Sequence, residues 1–348
     1  MSRDALLAEA LSAYLSRAGQ QVVEIDALRR LAGGASHETW AFDAHCHGSA
    51  VEPLVLRRDF AHGLLDEAFT GGVAAEFALL ETLHAAALPV PRPRYCETDT
   101  AALGTPFMIV ERAVGTDLRK LLAAQAYNAS ISAAERRASG VALVTLQARL
   151  HRLPVPLDVG VAHAAKDCVQ HEISRWAGLI AASPSTRPVL DSAVHWLRTH
   201  PPPVLRLALV HGDFKANNLV TDAQRLWQEK SATILDWEMA HIGDPIEDLA
   251  WTLLWSTAHD LVGGLLDRSE YVSAYETASG HAVDAARLAY WEIFACVKLA
   301  AIFVAGVRPK ADGLAQRPML VMLGRAIAVL EHALAGRLQR ALHTEVAA

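Results

Sequence analysis

The sequence predicts an α+β chain in two parts. A smaller amino-terminal part holds the strand-like segments, and a larger, mainly helical part follows. Three observations predict this. Short strand-like segments divided by Gly and Pro turns fill the chain up to about residue 112. From Gly115 onward the apolar residues recur at helical spacing. One short apolar strand, residues 207–210, then interrupts the helical part and delivers the polar loop His211-Gly212-Asp213-Phe214-Lys215-Ala216-Asn217-Asn218. With 348 residues, both parts can bury a core.

The elements follow in order. Residues 4–18 place Leu6, Leu7, Leu11, Tyr14 and Leu15 at helical intervals, an amphipathic helix whose role is packing. The small-residue stretch Gly33-Gly34-Ala35-Ser36 turns the chain between two strands, and its glycines let backbone N–H groups approach an anion. Val55-Leu56-Arg57-Arg58 is a strand in which Val55 and Arg57 share a side. Residues 74–83 form a helix carrying Glu76, Phe77, Leu80 and Leu83, with His84 just beyond. After the Pro89-Val90-Pro91 punctuation, Phe107-Met108-Ile109-Val110-Glu111 is an apolar strand that ends in the turn before Gly115. Residues 118–122 and 133–152 are helices, the second with Val141, Leu143, Val144, Leu146 and Leu150 on a broad apolar face. Residues 291–307 are apolar but shorter than the roughly 20 residues that span a bilayer. They also contain Glu292 and Lys298, so they read as a buried helix.

Composition removes several function classes. At 52% hydrophobic and 20% charged residues the chain is an ordinary globular one, and its formal charge of -6 gives no general attraction to nucleic acid or an anionic membrane. Cys46, Cys96, Cys168 and Cys296 lie far apart, without metal-ligand spacing, and read as free thiols. His45 and His47 flank Cys46 as any alternating segment does. The first residues show no secretory signal, which gives the expectation of a cytoplasmic protein.

The chemistry sits in three residues. Asp213 is followed five positions later by Asn218, and Asp236 comes eighteen residues after that, at the end of a later strand. A proton acceptor and two oxygen ligands for a hard cation are the parts that phosphoryl transfer needs. The form His-Gly-Asp, four residues, Asn resembles the catalytic loop of the aminoglycoside phosphotransferase family of kinase-like enzymes. The run Asp236-Trp237-Glu238 through Gly243-Asp244-Pro245 to Asp248 and Trp251 looks most like the branch related to the kinase-like domain of certain acyl-CoA dehydrogenases. The match to that branch covers nearly the whole chain.

This resemblance implies a bilobal protein-kinase-like fold, with residues 1–112 as a small nucleotide-binding lobe built on a mainly antiparallel sheet and one helix, and residues 113–348 as the helical lobe holding the catalytic loop and acceptor site. It implies ATP and Mg²⁺. Asp213 takes the proton of a substrate hydroxyl, Lys215 contacts the transferred phosphate, and Asn218 and Asp236 hold the metal. Gly33, Gly34 and Ser36 face the phosphates, and the backbone of Glu111 and Ala113 faces the adenine edge. A phosphate-binding cation comes from the 55–58 strand: alternation selects Arg57, with Glu76 as its partner, while a one-residue shift would select Arg58. His211 and Asp248 support the loop, Asp244 caps a helix, and His151 ties helices together. Trp237-Glu238 in place of Phe-Gly implies no regulatory flip of that segment.

The acceptor is a small-molecule hydroxyl, with no nucleic-acid or membrane partner. The acyl-CoA-dehydrogenase-related branch points to a hydroxyacyl compound or its CoA thioester, and the broader family points to an aminoglycoside or other antibiotic. A nucleotide-binding pseudokinase acting as a partner protein is the reading of another class, and retention of Asp213, Asn218 and Asp236 weighs against it. A protein acceptor would call for an activation segment that the sequence lacks.

Overall fold

The structure is a computed structural model, and it describes residues 3–19, 22–31, 37–46, 50–59, 71–154, 168–183, 185–222, 232–307 and 318–347. The chain divides into two compact units. The first comprises residues 1–115, 220–222 and 232–238, and the second comprises residues 116–219, 223–231 and 239–348.

The first unit is a five-stranded antiparallel sheet with helices α1 (Arg3–Gly19) and α2 (Gly72–Ala85). Its strands are β1 (Val23–Arg30), β2 (His37–Cys46), β3 (Glu52–Asp59), β4 (Pro93–Glu97) and β5 (Phe107–Glu111), in the order β1-β2-β3-β5-β4. Period-two alternation sorts the two faces. Trp40, Phe42, Leu54, Leu56, Phe107 and Ile109 make one core with Leu7, Leu11 and Leu15 of α1. Those three leucines recur every four residues and form the buried stripe, whereas Leu6, expected to join them, lies about 100° round the helix and is exposed. Burying a leucine such as Leu11 contributes about 2 kcal/mol.

Arg57 lies on the opposite face of the sheet, where β3 and β5 pair it with Met108 and pair Val55 with Val110. There α2 presents Glu76 from a line of buried positions that includes Val73, Leu80 and Leu83. The sheet thus separates a dry hydrophobic face from a charged one. At its end Gly115 adopts φ +128, and a Cβ there would lie 2.4 Å from the Thr221 carbonyl oxygen, so only glycine fits.

The second unit is helical, with a two-stranded antiparallel pair, Ala208–Val210 against His241–Gly243, at the base of the catalytic loop. Its helices include Ala133–His151, Cys168–Ala181, Pro188–Thr199, Ile246–Leu254, Arg268–Ser279, Ala285–Gly306 and Pro318–Ala347. The first of these begins with a capping box in which Ser132 and Glu135 satisfy each other's backbone donors. The apolar stretch read from residue 291 starts earlier, at Ala285, because Asp284 caps a helix of 22 residues. That length and composition would cross a membrane, yet most of the helix is buried inside the protein, as the core helix of a globular unit is.

Candidate active site

The charged face of the first unit holds one cluster of candidate residues. Arg57 donates through Nη1 to Glu76 Oε1 at 2.5 Å and through Nη2 to Asp236 Oδ1 at 2.9 Å. His37 Nδ1 lies between the two sides, 3.1 Å from Arg57 Nη2 and 3.0 Å from Glu238 Oε2. The Trp237 N–H also donates to Glu76 Oε1, at 3.1 Å, which ties the segment after the Ala232–Ile234 strand to α2.

Three carboxylates, Glu76, Asp236 and Glu238, therefore surround a single guanidinium. Burial opposes the Arg57 charge, but these carboxylates more than offset it and raise its pKa above the ordinary arginine value. Burial also pushes the Glu76 carboxyl up against the pull of Arg57, because Glu76 shares that cation with the other two acids. Asp236 is the most open of the three, with 37% of its side chain exposed, and it has a positive φ of 67°. A non-glycine residue held there stores local strain, a feature that concentrates at functional sites.

Arg58 points the other way and is bound to the buried Glu38, with Nε 2.6 Å from Oε2. The structure thus joins Arg57, Glu76 and Asp236 and leaves Arg58 apart from them. The Glu111 N–H, one of the groups proposed for adenine, is committed to the Arg92 carbonyl at 2.9 Å, so only the Glu111 carbonyl could serve. Its side chain is held by Arg94 at 2.8 Å. Ala113 follows the last strand donor, Arg112 N–H to the Pro53 carbonyl. Gly33, Gly34 and Ser36 lie outside the described residues.

The catalytic loop occupies the second unit. Asp213 is buried, and three donors converge on its carboxylate: Trp251 Nε1 on Oδ1 at 2.8 Å, Asn218 Nδ2 on Oδ2 at 2.7 Å and Lys215 Nζ on Oδ2 at 2.9 Å. Asn218 Nδ2 also donates to the Asp213 carbonyl at 3.0 Å. Only the amide NH₂ can donate to these oxygens, which fixes the Asn218 orientation and leaves Oδ1 as the group able to accept a cation. Lys215 lies over the Trp255 ring, 5.3 Å from its centroid.

The loop is held from below. Asp248 accepts from the His211 N–H at 2.7 Å and from the Gly212 N–H at 2.9 Å, and meets His151 Nε2 at 3.0 Å. Burial would raise the Asp248 carboxyl, but His151, His211 and the backbone donors hold it down at about 2. His151 Nδ1 reaches the Tyr275 hydroxyl at 2.8 Å, so this histidine joins two helices to the loop. His211 Nδ1 accepts from the Asp213 N–H at 3.1 Å, a supporting contact. Asp244 Oδ1 accepts from the Ile246 N–H at 2.9 Å and so caps the helix that carries Asp248. Gly212 needs to be glycine, since its φ is +79 and a Cβ would lie 2.5 Å from the Met239 carbonyl oxygen.

Two residues escaped the sequence reading. Trp251 entered the sequence reading only as the end of the run from Asp236, and only the fold shows its indole N–H on Asp213. Glu238 looked like a replacement for a glycine, although the spacing Asp-Trp-Glu after a strand already placed two carboxylates close together.

The donors present fit a magnesium nucleotide. The first unit offers an accessible carboxylate, Asp236, within a cluster that carries more negative than positive charge. The second offers Asn218 Oδ1, left over once the amide has bonded Asp213. Hard oxygen donors of this kind suit Mg²⁺.

Comparison with known proteins gives the family and the fold. A family model described as "Phosphotransferase enzyme family" matches residues 27–291. Acyl-CoA dehydrogenase family member 11 of Homo sapiens is 32% identical over 204 residues, 57% of this chain and 25% of that protein. Acyl-CoA dehydrogenase family member 10 of Mus musculus is 27% identical over 207 residues, 59% of this chain and 18% of that protein. The chain thus spans a quarter or less of the length of these two relatives, and the matches cover 57% and 59% of it, short of the nearly whole-chain match expected from the sequence. A crystal structure of a Ralstonia eutropha protein named for the aminoglycoside phosphotransferases superposes with a TM-score of 0.71 at 20% identity, covering 95% of this chain and 98% of that one, and shows that the fold is shared.

Proposed function

The chain belongs to the phosphotransferase enzyme family and is a small-molecule kinase, and we propose that it transfers the γ-phosphoryl group of ATP, with Mg²⁺, to a hydroxyl of a hydroxyacyl compound or its CoA thioester. The observation that carries the reaction class is the environment of Asp213. Its buried carboxylate is fixed by Trp251, Asn218 and Lys215, at 2.7–2.9 Å. That fixed geometry suits a loose phosphoryl-transfer transition state, in which the attacking hydroxyl must be held in line and gives up its proton late.

Asp213 accepts the hydrogen bond of the hydroxyl and then its proton. The hydroxyl oxygen forms a bond to the γ-phosphorus as the bond to the ADP oxygen breaks. Lys215 follows the charge of the transferred group, and Arg57 holds a nucleotide phosphate while Glu76 fixes its guanidinium. Asn218 and Asp236 would hold the metal, which when bound neutralises phosphate charge.

The acceptor class rests on the acyl-CoA dehydrogenase relatives and on the state of the acidic residues. A polycationic aminoglycoside needs free carboxylates. Asp260 is paired to Arg119 at 2.7 Å, Asp267 and Glu270 form a capping box, and Glu276 accepts from the Val283 N–H. In the middle segment Glu172 is buried beside Trp176 and Arg175. These acids, among the described residues, are engaged within the protein.

The test is Mg²⁺-ATP consumption with a panel of hydroxyacyl-CoAs, free hydroxy acids, aminoglycosides, amino alcohols and sugars, with Asp213→Asn as control. Turnover of a hydroxyacyl compound that disappears in the variant supports the proposal. Turnover confined to aminoglycosides would overturn the acceptor class, and ATP binding without any turnover would favour a nucleotide-binding partner protein.

A further inference from the structure

The helix Ala285–Gly306 carries one lysine, Lys298, inside an otherwise apolar stretch, and it is 1% exposed. A buried ammonium is expensive unless several groups compensate it. Lys298 Nζ donates to the Gly212 carbonyl at 2.7 Å and to Glu247 Oε1 at 3.1 Å. It also lies 4.9 Å from the centroid of the Trp251 ring and 5.2 Å from that of Trp176.

Two of these four contacts lead directly to the proton acceptor. Gly212 is the residue before Asp213, and Trp251 donates its indole N–H to Asp213 Oδ1 at 2.8 Å. The ammonium therefore anchors the peptide carbonyl on one side of Asp213 and lies against the indole that binds the carboxylate on the other. A cation on the face of an indole is attracted to its π-electrons. It also draws electron density away from the N–H, which strengthens that group as a donor.

Glu172, His241 and Glu247 offer ligand atoms that all lie within 4.8 Å of one another, an arrangement that could hold a metal ion. The surrounding charges argue otherwise. His241 Nε2 lies 3.1 Å from Glu247 Oε2, and Lys298 lies on the other oxygen of the same carboxylate. Burial would pull the His241 imidazole down, but Glu172 and Glu247 hold it up at about 9. Two buried acids thus face an imidazolium and an ammonium, and Arg175 Nη1 adds a third cation 3.3 Å from Glu172 Oε1, so the acids are already compensated within the protein. Its location beneath the loop fits a rigid mount for Lys298.

We propose that Lys298 is a positioning residue for phosphotransfer, fixing Asp213 through the Gly212 carbonyl and the Trp251 indole while Glu247, His241 and Glu172 hold it in place. This rests on the reading of Asp213 as the proton acceptor.

The experiment uses the full chain labelled with ¹⁵N at tryptophan, with the Trp251 Nε1–H signal assigned by Trp251→Phe. Lys298→Met removes charge and donor. Lys298→Gln keeps an amide able to bond within the buried group, so the test survives if the methionine variant does not fold. Lys298→Arg restores the cation. Tyr290→Phe, which removes a buried hydrogen bond from the same helix to the Leu197 carbonyl, controls for general loss of stability. In the neutral variants the Trp251 indole signal moves and its hydrogen exchange accelerates by about tenfold, and kcat with the acceptor identified above falls by about tenfold with little change in the KM for ATP. The arginine variant recovers part of both effects, and Tyr290→Phe shows neither.

A folded neutral variant with a wild-type indole signal would overturn the proposal. So would an arginine variant as impaired as the methionine one, or a stoichiometric transition metal bound by Glu172, His241 and Glu247. If Asp213→Asn retains turnover, the reading of function fails while the indole signal still reports whether Lys298 places Trp251, so the two failures are separable.

Discussion

The charged clusters of the two units solve opposite electrostatic problems. In the first unit three carboxylates share one guanidinium, and Asp236 remains partly open to solvent. In the second unit one carboxylate, Asp213, is supplied with three donors and is buried. The first arrangement is incomplete in charge and gains from a cation. The second is finished in the free protein, so its geometry is set before substrate arrives. The contrast teaches that preorganisation and ligand demand are divided between the units, and each prediction below tests one side of that division.

The largest effect belongs to the finished cluster. Asp213→Asn keeps the shape and the Trp251 contact but removes the proton acceptor, so kcat falls by about 10³-fold or more. Affinity for Mg²⁺-ATP, measured by calorimetry, stays within about twofold, because removing this group spares the nucleotide contacts. Retained turnover would show that the carboxylate is only structural.

Next comes a stability effect carried by the second unit. His241 is raised from 6.5 to about 9 in the folded chain. A raised cationic group stabilises fully below its unfolded pKa, and that contribution is lost as pH climbs through the folded value. Stability on the order of 3 kcal/mol therefore disappears between about pH 6.5 and 9. Asp248, lowered from 3.8 to about 2, works in the opposite sense and loses its contribution as pH falls through that window. Thermal melts across this range should show the alkaline loss in the wild type and a flatter profile in His241→Gln. An equal slope in both would place the titration elsewhere.

The open cluster is tested through its metal. Asp236→Asn removes charge while tolerating the positive φ, since asparagine visits that region readily. Mg²⁺ should then improve ATP affinity at least about tenfold less than in the wild type, a difference of about 1.4 kcal/mol. Unchanged metal dependence would remove Asp236 from the ligand set.

Much of this organisation was legible in the sequence, and what was not has physical reasons. The spacing of Asp213, Asn218 and Asp236 needs no knowledge of the fold, because a short loop and a following strand fix it. Alternation along residues 55–58 already assigned Arg57 and Arg58 to opposite faces, as the β3–β5 pairing shows. Trp251 could not be read, since a tryptophan on an apolar helix face looks the same whether or not its N–H finds a carboxylate. Lys298 had a weak signal, a single charge among Cys296, Val297, Leu299 and Ala300, which marks a buried partner without saying which. The Glu111 N–H failed as a candidate because pairing with β4 uses a donor that the sequence leaves formally free.

The smallest expected effect discriminates most finely within the first unit. Arg57→Lys keeps a positive charge, but an ammonium cannot reproduce the planar fork that meets Glu76 through one nitrogen and Asp236 through the other. The KM for ATP should rise by roughly fivefold to tenfold, about 1 kcal/mol, with kcat changed less. Arg58→Lys, by contrast, alters only contacts to Glu38 and the Leu103 carbonyl on the far face of the sheet, and the KM for ATP should stay within about twofold. The pair is informative because both substitutions make the same chemical change on neighbouring residues and differ only in the face they occupy. If Arg58→Lys were the more damaging for ATP, the charged cluster around Arg57 would be a structural ion network, and the nucleotide would have to be sought on the α1 side of the sheet.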